Sequence, residues 1–332
     1  MVGQKSGGRR WLALTFKLVV IAIVVWFVRR TIADAWRQLG EHPWEFHPEW
    51  IALSGVLYLV ALFPSAVFWF LSLRSLGQHP HFWESMRAYF IGHLGKYVPG
   101  KAMVVVIRAG LIGGHRVDTG VAAASVFLET LTWLAAGSFL AAAYLVATIR
   151  HDDVVFWGAV GLMVVTGLPT LPPVFPRLAR LAGVGKRDPA IVEKLHRLGY
   201  RTMLLGWILM AAGWTFMGLA YWATFRALGL MGIEGIRGFP LYTAAVALAV
   251  VAGFLAVFVP AGVGIREAAL AKLMIPYLRG IAPQAELVAW TAAMLFRLVS
   301  VVSELGISGI LYFAGLPKPR PPREEPPSAQ NA

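Results

Sequence analysis

Cysteine is absent from this sequence, and charged residues are few. Without cysteine the chain has no disulfides, no zinc site with thiolate ligands and no thiol nucleophile. Charged residues make up 14% of the chain and hydrophobic residues 58%, whereas charged residues make up about a quarter of an average soluble protein. The composition therefore predicts an integral membrane protein.

Six stretches are apolar enough to cross a hydrocarbon core about 30 Å thick, which takes about 20 helical residues. They are residues 11–28, 50–73, 119–149, 154–175, 203–226 and 286–314. The first follows three basic residues, and its length favours an uncleaved signal anchor over a cleaved signal peptide. The connections are short, so we predict one membrane domain over residues 1–315 and a disordered, proline-rich cytoplasmic tail over residues 316–332.

A nine-residue motif occurs twice. Residues 92–100 read GHLGKYVPG and residues 253–261 read GFLAVFVPA, with Gly, Leu, an aromatic residue, Val and Pro at the same offsets. Each copy follows two apolar spans and precedes one long span. This order predicts a duplication, with repeat one over residues 11–150 and repeat two over residues 154–315.

Both motifs interrupt apolar sequence with helix-breaking residues. Broken backbone is tolerated in a bilayer only where it faces protein or a water-filled cavity. We therefore predict helix–break–helix hairpins over residues 82–114 and 240–278 that enter the membrane and return to the same side. The predicted hinge residues are Pro99, Gly100, Pro260, Gly262 and Gly264.

The distribution of Lys and Arg supports re-entry. If both hairpins re-enter, most basic residues, including the seven in residues 176–202, lie in cytoplasmic loops. If both hairpins cross the membrane instead, this basic loop lies outside, against the positive-inside rule. We predict two inverted halves with both termini in the cytoplasm. We also predict that the net charge of +13 interacts with anionic lipid headgroups rather than with nucleic acid.

Ionisable residues inside the predicted spans and hairpins are the candidate substrate-binding residues, because each costs about 2.5–3.5 kcal/mol to insert. They are Arg108, Glu129, Arg266, Glu267, Arg297 and Glu304. We interpret Arg108 and Arg266 as bidentate donors to a lipid phosphate. Lys96 and Lys101 flank the first break, where they can guide an anionic headgroup.

Two roles are open for the acidic residues. Glu129 and Glu304 can balance the cations of an empty site, or bind a proton or a cationic headgroup. Alternatively, Arg108 pairs with Glu129 and Glu267 with Arg297 only to hold the hairpins against the spans. The two interpretations are compatible.

An enzyme is the hypothesis from another class. Gly306-Ile307-Ser308-Gly309 matches the G-x-S-G pattern of intramembrane serine proteases, but every histidine lies in a loop or near a break, so no base is available. His93 and His115 also lack the spacing of metal ligands, and there is no ATP-binding P-loop. We expect no enzyme activity, no metal and no cofactor, and transport that is passive or driven by an ion gradient.

Three segments resemble a known family. GKYVPGK followed by Arg108, and VPAGVGIREAAL with Arg266 and Glu267, resemble the two signatures of the bacterial lysylphosphatidylglycerol synthase transmembrane-domain family, also called flippase-like membrane proteins. LFRLVSVVSELGISG, with Arg297, is similar to the last-span pattern of that family. The resemblance implies a polytopic helical domain of the bacterial inner membrane that moves phospholipid or polyprenyl-linked lipid between leaflets.

The sequence departs from the family pattern at two points. Glu129 is followed by Thr130, where the family often has Glu-Arg, and the downstream Asp position is apolar or Trp133. The aminoacyl-transferring soluble domain of full-length synthases is also absent, so we do not expect synthase activity.

Together these observations predict an all-α polytopic membrane protein with six crossing helices and two broken re-entrant hairpins in two inverted repeats. We expect a flippase-like lipid transporter that binds an anionic phospholipid or polyprenyl-phosphate headgroup in a central cavity. The alternatives are a lipid-modifying enzyme and a non-transporting partner of a lipid-dependent glycosyltransferase. Candidate partners are anionic lipids, a lipid-modifying enzyme and a second copy of the chain.

Overall fold

The computed structural model describes residues 46–98, 102–148 and 153–314, except residues 182, 187, 231–232, 234–237, 256–261, 263 and 283, together with Trp26 and Arg29. The predicted first span (residues 11–28), the tail, and the predicted residues Pro99, Gly100, Lys101 and Pro260 lie outside the described residues.

The described residues form eleven α-helices and no strand, which confirms the all-α prediction. The helices are α1 Pro48–Ser75, α2 Phe82–His93, α3 Ala102–Ile112, α4 Thr119–Thr148, α5 Asp153–Gly167, α6 Phe175–Leu181, α7 Pro189–Leu195, α8 Tyr200–Ala227, α9 Phe239–Leu255, α10 Ile265–Leu278 and α11 Ala285–Phe313. Short 3₁₀ turns follow α2 at Leu94–Tyr97 and α5 at Leu168–Thr170.

Four helices are long and apolar enough to cross a membrane: α1, α4, α8 and α11. Each has 28 to 30 residues, a length of about 42–45 Å at 1.5 Å per residue. They correspond to four of the predicted spans. The predicted span at residues 154–175 is instead a bent pair, because the chain turns by 81° between Thr170 and Phe175, where prolines interrupt the helix. The described residues thus give four or five candidate spans.

Both predicted hairpins appear as pairs of helices that pack side by side. α2 and α3 form the first pair, and α9 and α10 form the second. A Cβ added to Gly92 would lie 2.4 Å from Cγ of Arg108, and one added to Gly253 would lie 3.3 Å from Cβ of Arg266. The two motif glycines therefore have the same role. Each allows an arginine in the second helix of its hairpin to lie against the first helix.

The second break needs glycine for its backbone. Gly262 and Gly264 have φ values of 67° and 83°, which residues with a side chain rarely adopt. The N–H of Gly264 donates to Oε2 of Glu267 at 2.6 Å, so this carboxylate satisfies a backbone donor at the start of α10. The break thus fixes the position of Glu267.

The packing of the two halves follows an exchange pattern. α1 packs on α8, its counterpart in the second half. α2 packs on α11 as α9 packs on α4, and α1 packs on α11 as α8 packs on α4. Exchanging α1–α4 with α8–α11 leaves these pairings unchanged, so the hairpin of each half lies against the last long helix of the other.

One loop outside the long helices is tied down by polar contacts. Oδ1 of Asp118 accepts hydrogen bonds from the N–H groups of Gly120 and Val121 at the start of α4, and Oδ2 accepts one from Nζ of Lys194 at 3.1 Å. Partial burial raises the pKa of Asp118, but these donors outweigh it and hold the pKa below its ordinary value. α7 is thereby joined to the beginning of α4.

Candidate functional site

Arg108 and Glu129 form a buried ion pair between α3 and α4. Nη1 of Arg108 lies 2.8 Å from Oε2 of Glu129, and only 2% of Arg108 and 4% of Glu129 are exposed. The guanidinium carbon lies 3.8 Å from the ring centre of Tyr89, whose hydroxyl donates to Oε1 of Glu129 at 3.2 Å. Nε of Arg108 is buried without a hydrogen-bond partner among the described residues.

A second cluster surrounds Glu304 in α11. Nζ of Lys96 lies 2.5 Å from Oε1 of Glu304, and the hydroxyl of Tyr97 donates to Oε2 at 2.9 Å. The hydroxyl of Tyr58 in α1 also donates to Oε1. The first hairpin is therefore bound through Lys96 and Tyr97 to the last long helix of the second half.

His93 connects the two clusters. Its Nδ1 lies 3.4 Å from Nη2 of Arg108, and its Nε2 lies 3.0 Å from Nζ of Lys96 and 3.6 Å from Oε1 of Glu304. Polar groups thus run without interruption from Glu129 to Glu304 through the end of the first hairpin.

A third pair joins the second hairpin to α11. Nε of Arg297 lies 3.6 Å from Oε1 of Glu267, and both residues are 3% exposed. The guanidinium carbon of Arg297 lies 5.6 Å from the ring centre of Tyr97, so this pair borders the Glu304 cluster. Both ion pairs considered from the sequence, Arg108 with Glu129 and Glu267 with Arg297, are present.

Arg266 differs from the other predicted cations. It is half-buried and lies 5.8 Å from the ring centre of Phe296, but it makes no ion pair with any described residue. Counting Lys96, the clusters together with Arg266 hold four cations and three carboxylates. The site within the described residues therefore carries one positive charge in excess.

An apolar groove runs beside the Glu304 cluster. It has a volume of about 670 Å³ and lies between α1 and α11, with Gly55, Val56, Leu59, Leu295 and Val302 among its lining residues. Leu59 and Ser303, both in the lining, are the chain neighbours of Tyr58 and Glu304. Groove and cluster thus share the same turns of the two helices.

The structure brings together seven of the predicted substrate-binding residues, and the eighth, Lys101, lies outside the described residues. A sequence model described as lysylphosphatidylglycerol synthase TM region matches residues 14–306. The chain belongs to this family. No curated protein matches the chain.

The match of the lysylphosphatidylglycerol synthase TM region confirms the resemblance identified from the motifs and covers every residue of the clusters. Membership establishes a multi-pass membrane protein linked to lipid metabolism. Within the described residues, no three His, Asp or Glu side chains are placed to hold a metal ion.

His93 and three tyrosines of the site were not among the binding residues predicted from the sequence. Tyr97 occupies the aromatic position of the repeated motif and His93 follows its first glycine, so the motif itself marked both. Tyr58 and Tyr89 carried no such signal, because each lies in an apolar stretch and donates to a carboxylate distant in sequence.

Proposed function

We propose that this protein moves a lipid with an anionic phosphate headgroup between the two leaflets and binds the headgroup at the buried clusters. The observation that carries the proposal is the excess positive charge inside an apolar bundle, with Arg266 outside any ion pair of the described residues. A charge in the membrane interior is costly unless it is compensated. A phosphate supplies that compensation.

The guanidinium groups suit a phosphate. Arg offers planar pairs of donors that match two phosphate oxygens, and Nε of Arg108 is a buried donor that no described residue satisfies. Glu129 and Glu304 then act as internal counter-ions, which hold the cations in place while no lipid is bound. Both interpretations of the ion pairs therefore apply at once.

The groove beside Glu304 accommodates part of the lipid chain in this proposal. Its lining is almost entirely apolar, and its volume of about 670 Å³ is within the range of sites for small ligands. A headgroup at the cluster and a chain in the groove would contact the same turns of α1 and α11. One lipid can therefore occupy both without leaving the bilayer.

The exchange of contacts between the halves is the pattern expected of a two-fold repeat, and the distribution of Lys and Arg favours its inverted form with two re-entrant hairpins. In transporters of this kind, broken helices from two inverted halves meet near the bilayer midplane, and the halves rock around a fixed site. Here each hairpin lies against the last long helix of the other half. Rocking would then open the clusters to one leaflet at a time, in an inner membrane with both termini cytoplasmic. The lipid is moved without chemical change.

The test is a leaflet-resolved transport assay in proteoliposomes of phosphatidylcholine with a trace of fluorescent lipid. Separate arms use labelled phosphatidylglycerol, labelled polyprenyl phosphate and labelled phosphatidylcholine. We expect protein-dependent movement of one phosphate-bearing anionic lipid, at least about tenfold slower in Arg266→Gln, since each 1.4 kcal/mol of lost stabilisation is a factor of ten.

The matched control is Arg279→Gln, because the Arg279 side chain is 69% exposed. Equal transport by both variants and the native protein would contradict the role of Arg266. Absence of movement in every arm would overturn the transport proposal, and mass spectrometry that detects a modified lipid would favour an enzyme.

A further inference from the structure

The ring of His93 lies among donors. Nδ1 faces Nη2 of Arg108 at 3.4 Å, and Nε2 faces Nζ of Lys96 at 3.0 Å. Arginine and lysine side chains in their charged forms only donate hydrogen bonds. Glu304, 3.6 Å from Nε2, is the one acceptor that faces the ring among the described residues.

Each neutral tautomer of His93 satisfies one of the two cations, and the imidazolium satisfies neither. With hydrogen on Nε2, Nδ1 accepts from Arg108, but the N–H faces Nζ of Lys96 at 3.0 Å. With hydrogen on Nδ1, Nε2 accepts from Lys96, but the N–H faces the guanidinium of Arg108 at 3.4 Å. The empty site is therefore arranged around a neutral imidazole.

Protonation changes this arrangement. The imidazolium carries hydrogen on both nitrogens, so neither accepts from Arg108 or Lys96 and a positive charge stands between two others. Arg108 must then release its contact with His93, which frees Nη2 as a donor. The buried site now holds two positive charges in excess instead of one.

The carboxylates around the cluster already have partners, although Glu304 lies 3.6 Å from Nε2 of His93. Tyr89 stacks on the ring with centroids 6.0 Å apart and contributes no charge. Glu129 is already paired with Arg108, and Glu304 accepts from Lys96, Tyr58 and Tyr97. Because the cations of the site then exceed its carboxylates by two, an anion from outside the protein would stabilise the protonated state.

We propose that His93 is a proton-binding site whose proton and an anionic lipid headgroup bind together, which makes the proton the coupling ion of transport. The proposal rests on the proposed function. Because binding linkage is reciprocal, the lipid raises the affinity for the proton as much as the proton raises the affinity for the lipid.

Isothermal titration of purified protein with dihexanoyl phosphatidylglycerol tests this coupling. Titrations at one pH in two buffers of different ionisation enthalpy count the protons taken up per lipid bound. We expect uptake approaching one proton at pH values between the pKa of His93 in the free protein and its higher pKa in the lipid complex, and an affinity that falls about tenfold per pH unit in that range.

His93→Gln should bind the lipid without proton uptake and with an affinity independent of pH. His115→Gln, at an exposed position in the loop before α4, is the matched control and should keep the uptake. Lipid binding by the native protein without proton uptake would overturn the coupling and leave the proposed function standing. Absence of binding at every pH, with a short-chain polyprenyl phosphate in place of phosphatidylglycerol as well, would overturn the proposed function itself. Proton uptake by the native protein can be measured without any variant. The proposal can therefore be contradicted even if His93→Gln does not fold.

Discussion

At the scale of single residues, the site is a set of charges that hold one another inside an apolar bundle. Arg108 with Glu129 and Arg297 with Glu267 each join a hairpin to a long helix. Removing one member of a buried pair leaves an uncompensated charge, which costs more than the pair contributes. These pairs therefore tolerate loss of both charges better than loss of one.

This asymmetry predicts the outcome of a double-mutant cycle. Arg108→Gln and Glu129→Gln should each lower the free energy of unfolding by about 3–5 kcal/mol, and the double variant should lose clearly less than the sum. Denaturant unfolding in detergent measures the three variants. The control cycle uses Asp118 and Lys194, whose side chains are about a third exposed and should couple by about 1 kcal/mol at most. Additive losses at Arg108 and Glu129 would refute the pairing.

The sequence could identify most charged residues of the site, because an ionisable residue in an apolar span stands out without any structure. It could also suggest Arg108–Glu129 as a pair, since α3 and α4 are neighbours in the chain. The contact between Lys96 and Glu304 joins residues on opposite halves. Only the packing of the first hairpin on α11 brings them together, so no local pattern could predict it.

At the scale of helices, the breaks were predictable and one span was not. Pro and Gly in both motifs marked the hairpins, and the pairs α2–α3 and α9–α10 lie close to the predicted bounds. The apolar window at residues 154–175 hid an 81° bend, because average hydropathy does not register the prolines that end a helix. Length and composition indicate a span, whereas local backbone chemistry decides whether it is straight.

The close approach of α1 and α8 depends on glycine, as is common between membrane helices. A Cβ added to Gly213 would lie 2.8 Å from the carbonyl oxygen of Ala61, a backbone atom that cannot move aside. Gly213→Ala should therefore lower the free energy of unfolding by about 1–3 kcal/mol.

Gly306→Ala is the control for this substitution. Gly306 lies in α11 and an added Cβ meets no atom within 4 Å. Because alanine favours the helix over glycine by about 1 kcal/mol, this variant should be as stable as the native protein or more stable. Equal effects of the two substitutions on thermal unfolding would show that helix packing at Gly213 is looser than the structure has it.

At the scale of the whole molecule, the topology depends on the side of the membrane that the open end of each hairpin faces. The exchange of contacts relates two halves, and each half has one such hairpin. The first hairpin begins at Phe82 and ends at Ile112, and the second begins at Phe239 and ends at Leu278. If the halves are inverted, these openings face opposite sides of the membrane. If the halves are parallel, both openings face the same side.

The absence of native cysteine allows a direct test of this topology. His115→Cys and Gly280→Cys each place one thiol at an exposed position just beyond a hairpin. In intact cells, a membrane-impermeant maleimide should label Gly280→Cys alone, and His115→Cys should react only after the inner face is opened. The positive-inside rule predicts this labelling pattern. It places the basic loop between α6 and α8 in the cytoplasm, together with the neighbouring loop that contains His115. Labelling of both thiols from one side would exclude the inverted arrangement.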